Sequence, residues 1–159
     1  NRIISKIIES LCIHEIQILW QTGQNHYQEF KKFENKIVKV LPFIDNMANA
    51  YAISDLVISR SGAITCSEIA HCGKPSILFP LKNSAGNHQL KNAKSLSKVG
   101  AALVIEEDTV NEEKLEILIK NLIKSESKLK KMSANSIRLR YPNAASHISN
   151  SALELLKNV

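Results

Sequence analysis

Short apolar runs alternate along the whole chain with segments whose apolar residues recur every three to four positions. That alternation predicts parallel strands joined by crossover helices, an α/β class. The stripe Ile3, Ile4, Ile7, Ile8 and Leu11 predicts a helix over residues 2–11, followed by a strand over 15–20 and a turn at Thr22-Gly23. A second helix is expected over 25–33 and a strand over 37–41, where Pro42 limits extension because it cannot donate to the ladder. Asp45 can cap a helix through Ala52, residues 56–59 read as a buried strand, and 61–72 read as a helix closed by Gly73. Strands over 76–79 and 101–105 flank a helix over 87–98. Residues 111–123, 127–139 and 144–156 then read as helices, with Tyr141-Pro142-Asn143 as the one clear break.

A chain of 159 residues that is 44% hydrophobic can bury one sizeable core, so residues 1–159 are expected to form a single domain. A Rossmann-like unit normally opens with a strand and a glycine-rich turn. This chain opens with a helix, so the sheet is expected to lack its first strand. No apolar run approaches the roughly 20 residues needed to cross a bilayer. The first residues also lack the layout of a signal peptide, and the chain reads as cytosolic.

Cys12, Cys66 and Cys72 are odd in number, form no C-x-x-C pair and sit in apolar segments, so buried reduced thiols are expected rather than disulfides or zinc ligands. No metal or other cofactor is expected. The 21 basic residues exceed the 15 acidic by six, a balance that suits nucleic acid, an anionic membrane surface or a phosphate-bearing ligand. Many of the lysines (Lys114, Lys120, Lys124, Lys128, Lys130 and Lys131) are spaced among Glu and Leu as on a solvated helix face. No aromatic residues interleave with them as a stacking platform, so nucleic acid is not an expected partner.

Three segments follow predicted strand ends and carry candidate chemistry. In the first, Arg60, Ser61, Gly62, Ala63, Ile64, Thr65, Cys66, Ser67 and Glu68 join a buried strand to a helix. The first helical N–H groups have no intrahelical acceptor, the helix dipole adds about half a positive charge, and Gly62 allows close approach of a phosphate. On a helical wheel Ser61, Thr65 and Glu68 share a polar face opposite Ala63, Cys66 and Ala70. A carboxylate at Glu68 suits the two hydroxyls of a ribose better than a phosphate. The plainer reading makes Ser61 a helix cap and Glu68 a solvated residue. In the second segment, residues 82–86 lead into Asn87, His88 and Gln89, which could fix sugar hydroxyls or could simply be an N-cap and an exposed first turn. The third, Phe43 to Met47, offers backbone groups for the edge of a flat base, or else a capped helix start with a hydrophobic staple.

Taken in order, Phe-Ile-Asp-Asn-Met, Ser-Arg-Ser-Gly-Ala-Ile-Thr-x-x-Glu, Gly-Lys-Pro-Ser-Ile-Leu-x-Pro, Asn-His-Gln-x-x-Asn-Ala and Gly-Ala-Ala resemble the C-terminal domain of the MurG family, within glycosyltransferase family 28. Residues 40–105 carry the likeness, and Pro142-Asn143-Ala144-Ala145 fits the family's closing helix. The resemblance implies the C-terminal, Rossmann-like half of a GT-B enzyme that binds UDP-N-acetylglucosamine. It also implies that the enzyme converts lipid I to lipid II in peptidoglycan synthesis, with inversion. By matching positions, Ile44 contacts uracil through its backbone, Gly62 to Thr65 give amides to the diphosphate, Glu68 holds the ribose, and His88 and Gln89 face the sugar. Arg60 supports the diphosphate loop or a domain interface.

The acceptor site and candidate base belong to an N-terminal domain, which in the family also docks at the cytoplasmic face of the inner membrane. The fragment alone is therefore expected to be inactive, and no residue in it is assigned a catalytic role. His14, His26, His71 and His147 are expected at the surface or in packing roles. Two other functions stay open: a stand-alone nucleotide-sugar-binding subunit that recruits a separate acceptor-binding protein, and a non-catalytic nucleotide-binding module.

Overall fold

The computed structural model describes residues 1–13 and 16–157, so His14 and the expected strand start at Glu15 lie outside the described residues. Among the described residues, eight helices and five strands follow in the expected order. They are α1 (Arg2–Cys12), β1 (Ile18–Gln21), α2 (Tyr27–Phe30), β2 (Val38–Leu41), α3 (Met47–Ile53), β3 (Val57–Ser59), α4 (Ala63–His71), β4 (Ser76–Leu78), α5 (His88–Lys98), β5 (Ala102–Val104), α6 (Glu112–Ile123), α7 (Glu126–Ile137) and α8 (Ala144–Lys157). All strand pairs are parallel. The ladders form two sheets, β1-β2 and β3-β4-β5. The expected helix over 25–33 is a single α-helical turn between two 3-10 turns. Its Phe30 and Phe33 pack on Trp20, and no continuous apolar stripe extends the helix further.

β4 shows why the alternating sequence becomes layers. Ile77 enters a cluster with Ile7 and Leu11 of α1, Leu115, Ile119 and Leu122 of α6 and Met132 of α7, against which Ile18 of β1 and Ile58 of β3 also pack. Leu78, one residue on, points to the opposite face, with Tyr51, Cys66, Ile69, Ala93 and Leu96 of α3, α4 and α5. Both residues are fully buried, which by area is worth about 2 kcal/mol for each side chain. A third cluster holds β1 and β2 to the other side of α1, through Ile8, Trp20, Phe30, Val38 and Val40. One apolar cluster thus spans both sheets.

Asn46, not Asp45, caps α3: its side chain accepts from the Asn49 N–H at 3.0 Å. Gly73 follows α4 with φ +62°, and a Cβ there would lie 2.5 Å from Cγ1 of Ile137 on α7. The glycine is required both by the left-handed turn and by the approach of α7, which Ser136 secures by donating to the Ile69 carbonyl at 3.2 Å. The three cysteines are unpaired, as expected, but only Cys66 is buried; Cys12 is half-buried and Cys72 is exposed in the last turn of the apolar stretch. Gly73→Ala should cost about 1–3 kcal/mol in chemical denaturation, from left-handed strain plus overpacking.

Candidate functional site

The parallel register sets Ser59 beside Leu78, so the segments that leave β3 and β4 emerge side by side at the carboxyl edge. Arg60 braces this edge. Its Nη1 donates to the Phe79 carbonyl at 3.3 Å, and its Nη2 pairs with Glu107 after β5. Lys82 pairs likewise with Asp108 at 2.5 Å. The cations of both loops are thus matched by the acidic turn beyond β5.

Ser61 neither caps the helix nor joins a polar ligand face. It is fully buried: its hydroxyl donates to the Gln89 carbonyl at 2.8 Å, and its own carbonyl accepts from Asn92 Nδ2 at 3.1 Å. The two bonds clasp the start of α4 to the start of α5. Gly62 is the N-cap, extended at φ −61° and ψ 153°, with no side-chain cap bond and no acidic residue in the first turn. The N–H groups of Ala63, Ile64 and Thr65 head the helix without a side-chain acceptor, and the positive end of its dipole lies among them.

The wheel assignment fails at Ala63, which is exposed. The buried face of α4 is Cys66, Ile69 and Ala70. Burial pushes the Cys66 thiol up to about 11, so it offers packing rather than chemistry. Ile64 is 77% exposed and Ser67 is also exposed, while Thr65 is half-buried. A Cβ on Gly62 would meet only Thr65 Oγ1, at 3.8 Å. The chain's own packing and backbone therefore make no demand for glycine there.

Glu68 is half-buried and is not a freely solvated residue. Its Oε2 accepts a 3.0 Å hydrogen bond from Tyr51 Oη. Burial, and then the hydrogen bond and charge of Glu68, hold the Tyr51 phenol well above its usual range. Glu68 and Tyr51 line a groove of about 520 Å3 with Met47, His71, Arg140 and Tyr141. The groove is lined by Glu68 but not by residues 62–65.

Across the edge, the Ile44 N–H donates to Gln21 Oε1 at 2.8 Å, so a side-chain carbonyl already sits where an outside acceptor would bind. Phe43 is 64% exposed and forms no staple. Asn87 has φ +55° and makes no side-chain cap bond. Gln89 turns its carboxamide oxygen onto the Leu81 N–H at 2.9 Å, and His88 is exposed beside Gly86. The structure thus joins Ser61 to Gln89 directly, and links the turn at Ile44 to Glu68 through α3. Tyr51 and Gln21 escaped the sequence reading because one lies on a core-facing helix stripe and the other ends a strand.

The model of the glycosyltransferase family 28 C-terminal domain matches residues 1–148. This chain belongs to that family. A relative from Christiangramia forsetii, named UDP-N-acetylglucosamine--N-acetylmuramyl-(pentapeptide) pyrophosphoryl-undecaprenol N-acetylglucosamine transferase, is 35% identical over 158 residues, 99% of this chain and 43% of its own length. A relative of the same name from Vesicomyosocius okutanii is 42% identical over 146 residues, 91% of this chain and 42% of its own. Among solved structures, Acinetobacter baumannii MurG superposes with a TM-score of 0.78 at 31% identity, over 90% of this chain and 43% of that one. The family 28 chain described here therefore spans less than half the length of these relatives.

Gly62→Ala should leave the fold intact. Its stability should stay within about 1 kcal/mol of the parent in thermal melts, because the lost N-cap preference offsets the more restricted unfolded chain.

Proposed function

We propose that this chain is the donor-binding part of an inverting hexosyltransferase of peptidoglycan synthesis. In this reading it holds UDP-N-acetylglucosamine while an N-terminal domain presents lipid I, and the transfer yields lipid II. The observation that carries the reading is the uncapped start of α4 at the carboxyl edge, with no acidic residue in its first turn and the held carboxylate of Glu68 two turns on. The names of the relatives supply the sugar and the acceptor.

The chemistry follows from that arrangement. An acceptor hydroxyl attacks the anomeric carbon, and the bond from that carbon to the diphosphate oxygen breaks. UDP leaves with the electron pair, and a base takes the hydroxyl proton. The amides of Ala63, Ile64 and Thr65, with the helix dipole, stabilise the charge gathering on the leaving diphosphate. Glu68 accepts from the ribose hydroxyls, Ile44 meets the edge of uracil once Gln21 yields its N–H, and His88 with the NH2 group of Gln89 faces the sugar. Arg60 holds the diphosphate loop in place through Phe79 and Glu107. The general base belongs to the acceptor domain, which would also dock the enzyme peripherally on the cytoplasmic face of the inner membrane.

Two measurements test this. Calorimetry with UDP, UDP-N-acetylglucosamine and UDP-glucose should show binding of the first two and weaker binding of the third. No binding of any would overturn the nucleotide reading, and equal binding of all three would remove the sugar assignment. With radiolabelled donor and a lipid I acceptor, the chain by itself should release no labelled product. Turnover would place the base and the acceptor site within these residues.

A further inference from the structure

Glu68 gains its geometry from another helix. A glutamate on a solvated helix face samples many rotamers, and fixing it on a ligand costs side-chain entropy. Here one carboxylate oxygen is already taken by Tyr51 Oη at 3.0 Å. The tyrosine cannot follow a wandering partner: it is 5% exposed and packed with Cys66, Ile69 and Leu78. Burial and the carboxylate of Glu68 hold the phenol well above its usual range, so its hydroxyl remains the donor of this bond. Oε1 and a remaining lone pair of Oε2 are left for those hydroxyls. Tyr51 also lies on α3, which begins just after Ile44, so one short helix ties the turn proposed for the base to the carboxylate proposed for the ribose.

We infer that Tyr51 is a positioning residue that holds the Glu68 carboxylate for the vicinal hydroxyls of a ribonucleoside, and that it thereby sets discrimination between ribose and deoxyribose. The inference rests on the reading of Glu68 as the ribose acceptor.

The test compares UDP with 2′,3′-dideoxyuridine diphosphate by calorimetry on the parent chain, Tyr51→Phe, Glu68→Gln and the double variant. Tyr51→Phe keeps the ring and hence the core, which thermal melting checks. Affinity for UDP should drop by about fivefold to tenfold in Tyr51→Phe, the equilibrium equivalent of one hydrogen bond. Affinity for the dideoxy ligand should change by less than about twofold, because that ligand has no hydroxyls for Glu68 to accept from. In the Glu68→Gln background the tyrosine substitution should add nothing further. Equal losses for both ligands, or no loss for UDP, would overturn the positioning role while leaving Glu68 as the ribose acceptor if Glu68→Gln still abolishes the preference for UDP. A Glu68→Gln variant that keeps the full preference would overturn the ribose reading, and the role of Tyr51 with it.

Discussion

The site depends on the direction in which one hydroxyl points. Serine next to the start of a helix ordinarily turns back and accepts from an amide of the first turn. Ser61 instead faces inward, donating to the Gln89 carbonyl while its own carbonyl accepts from Asn92. That choice has two effects. It welds the beginnings of α4 and α5 together at the carboxyl edge of β3 and β4, and it leaves the amides of Ala63, Ile64 and Thr65 without a side-chain partner from a cap. An inward hydroxyl and an open helix start are the same structural decision.

Electrostatics at this edge then favour backbone over side chains. Arg60 and Lys82 are matched by Glu107 and Asp108, and the α4 terminus adds positive potential that no side chain neutralises from a cap. The carboxylate of Glu68 begins six residues beyond Gly62, about 9 Å along the axis. That spacing, close to the Debye length at physiological salt, weakens its repulsion of an anion at the helix start. Tyr51 also keeps the carboxylate beside α3 and the groove. Charge of one sign at the helix start and of the other two turns along gives a polarity that suits a nucleotide lying from phosphate to ribose.

Much of the fold was legible because it rests on period and punctuation. Ile77 and Leu78 alternate as a doubly buried strand must, and Gly73 marks a helix end that only a left-handed residue can make. The candidate segments were legible too, as polar stretches after strand ends. What could not be read was direction. Extending the helical wheel back to Ser61 failed because Gly62 is the cap, and the residue before a cap no longer follows the helix phase. Ala63 keeps the helix phase but sits in the exposed first turn, ahead of the buried Cys66, Ile69 and Ala70. Asp45 and Asn46 carry equivalent capping groups, and only the path of the turn selects Asn46. Tyr51 reads as one more core residue on its helix, since its partner lies 17 residues away.

We propose that the open start of α4 receives the diphosphate. A two-dimensional 1H–15N NMR titration of this chain with UDP addresses it residue by residue. The largest shifts should fall on the amides of Gly62, Ala63, Ile64 and Thr65, moving downfield as they donate to phosphate oxygens, with smaller shifts at Ile44 and Glu68. Saturating shifts confined to the groove beside Arg140 and Tyr141, with residues 62–65 unmoved, would contradict the account.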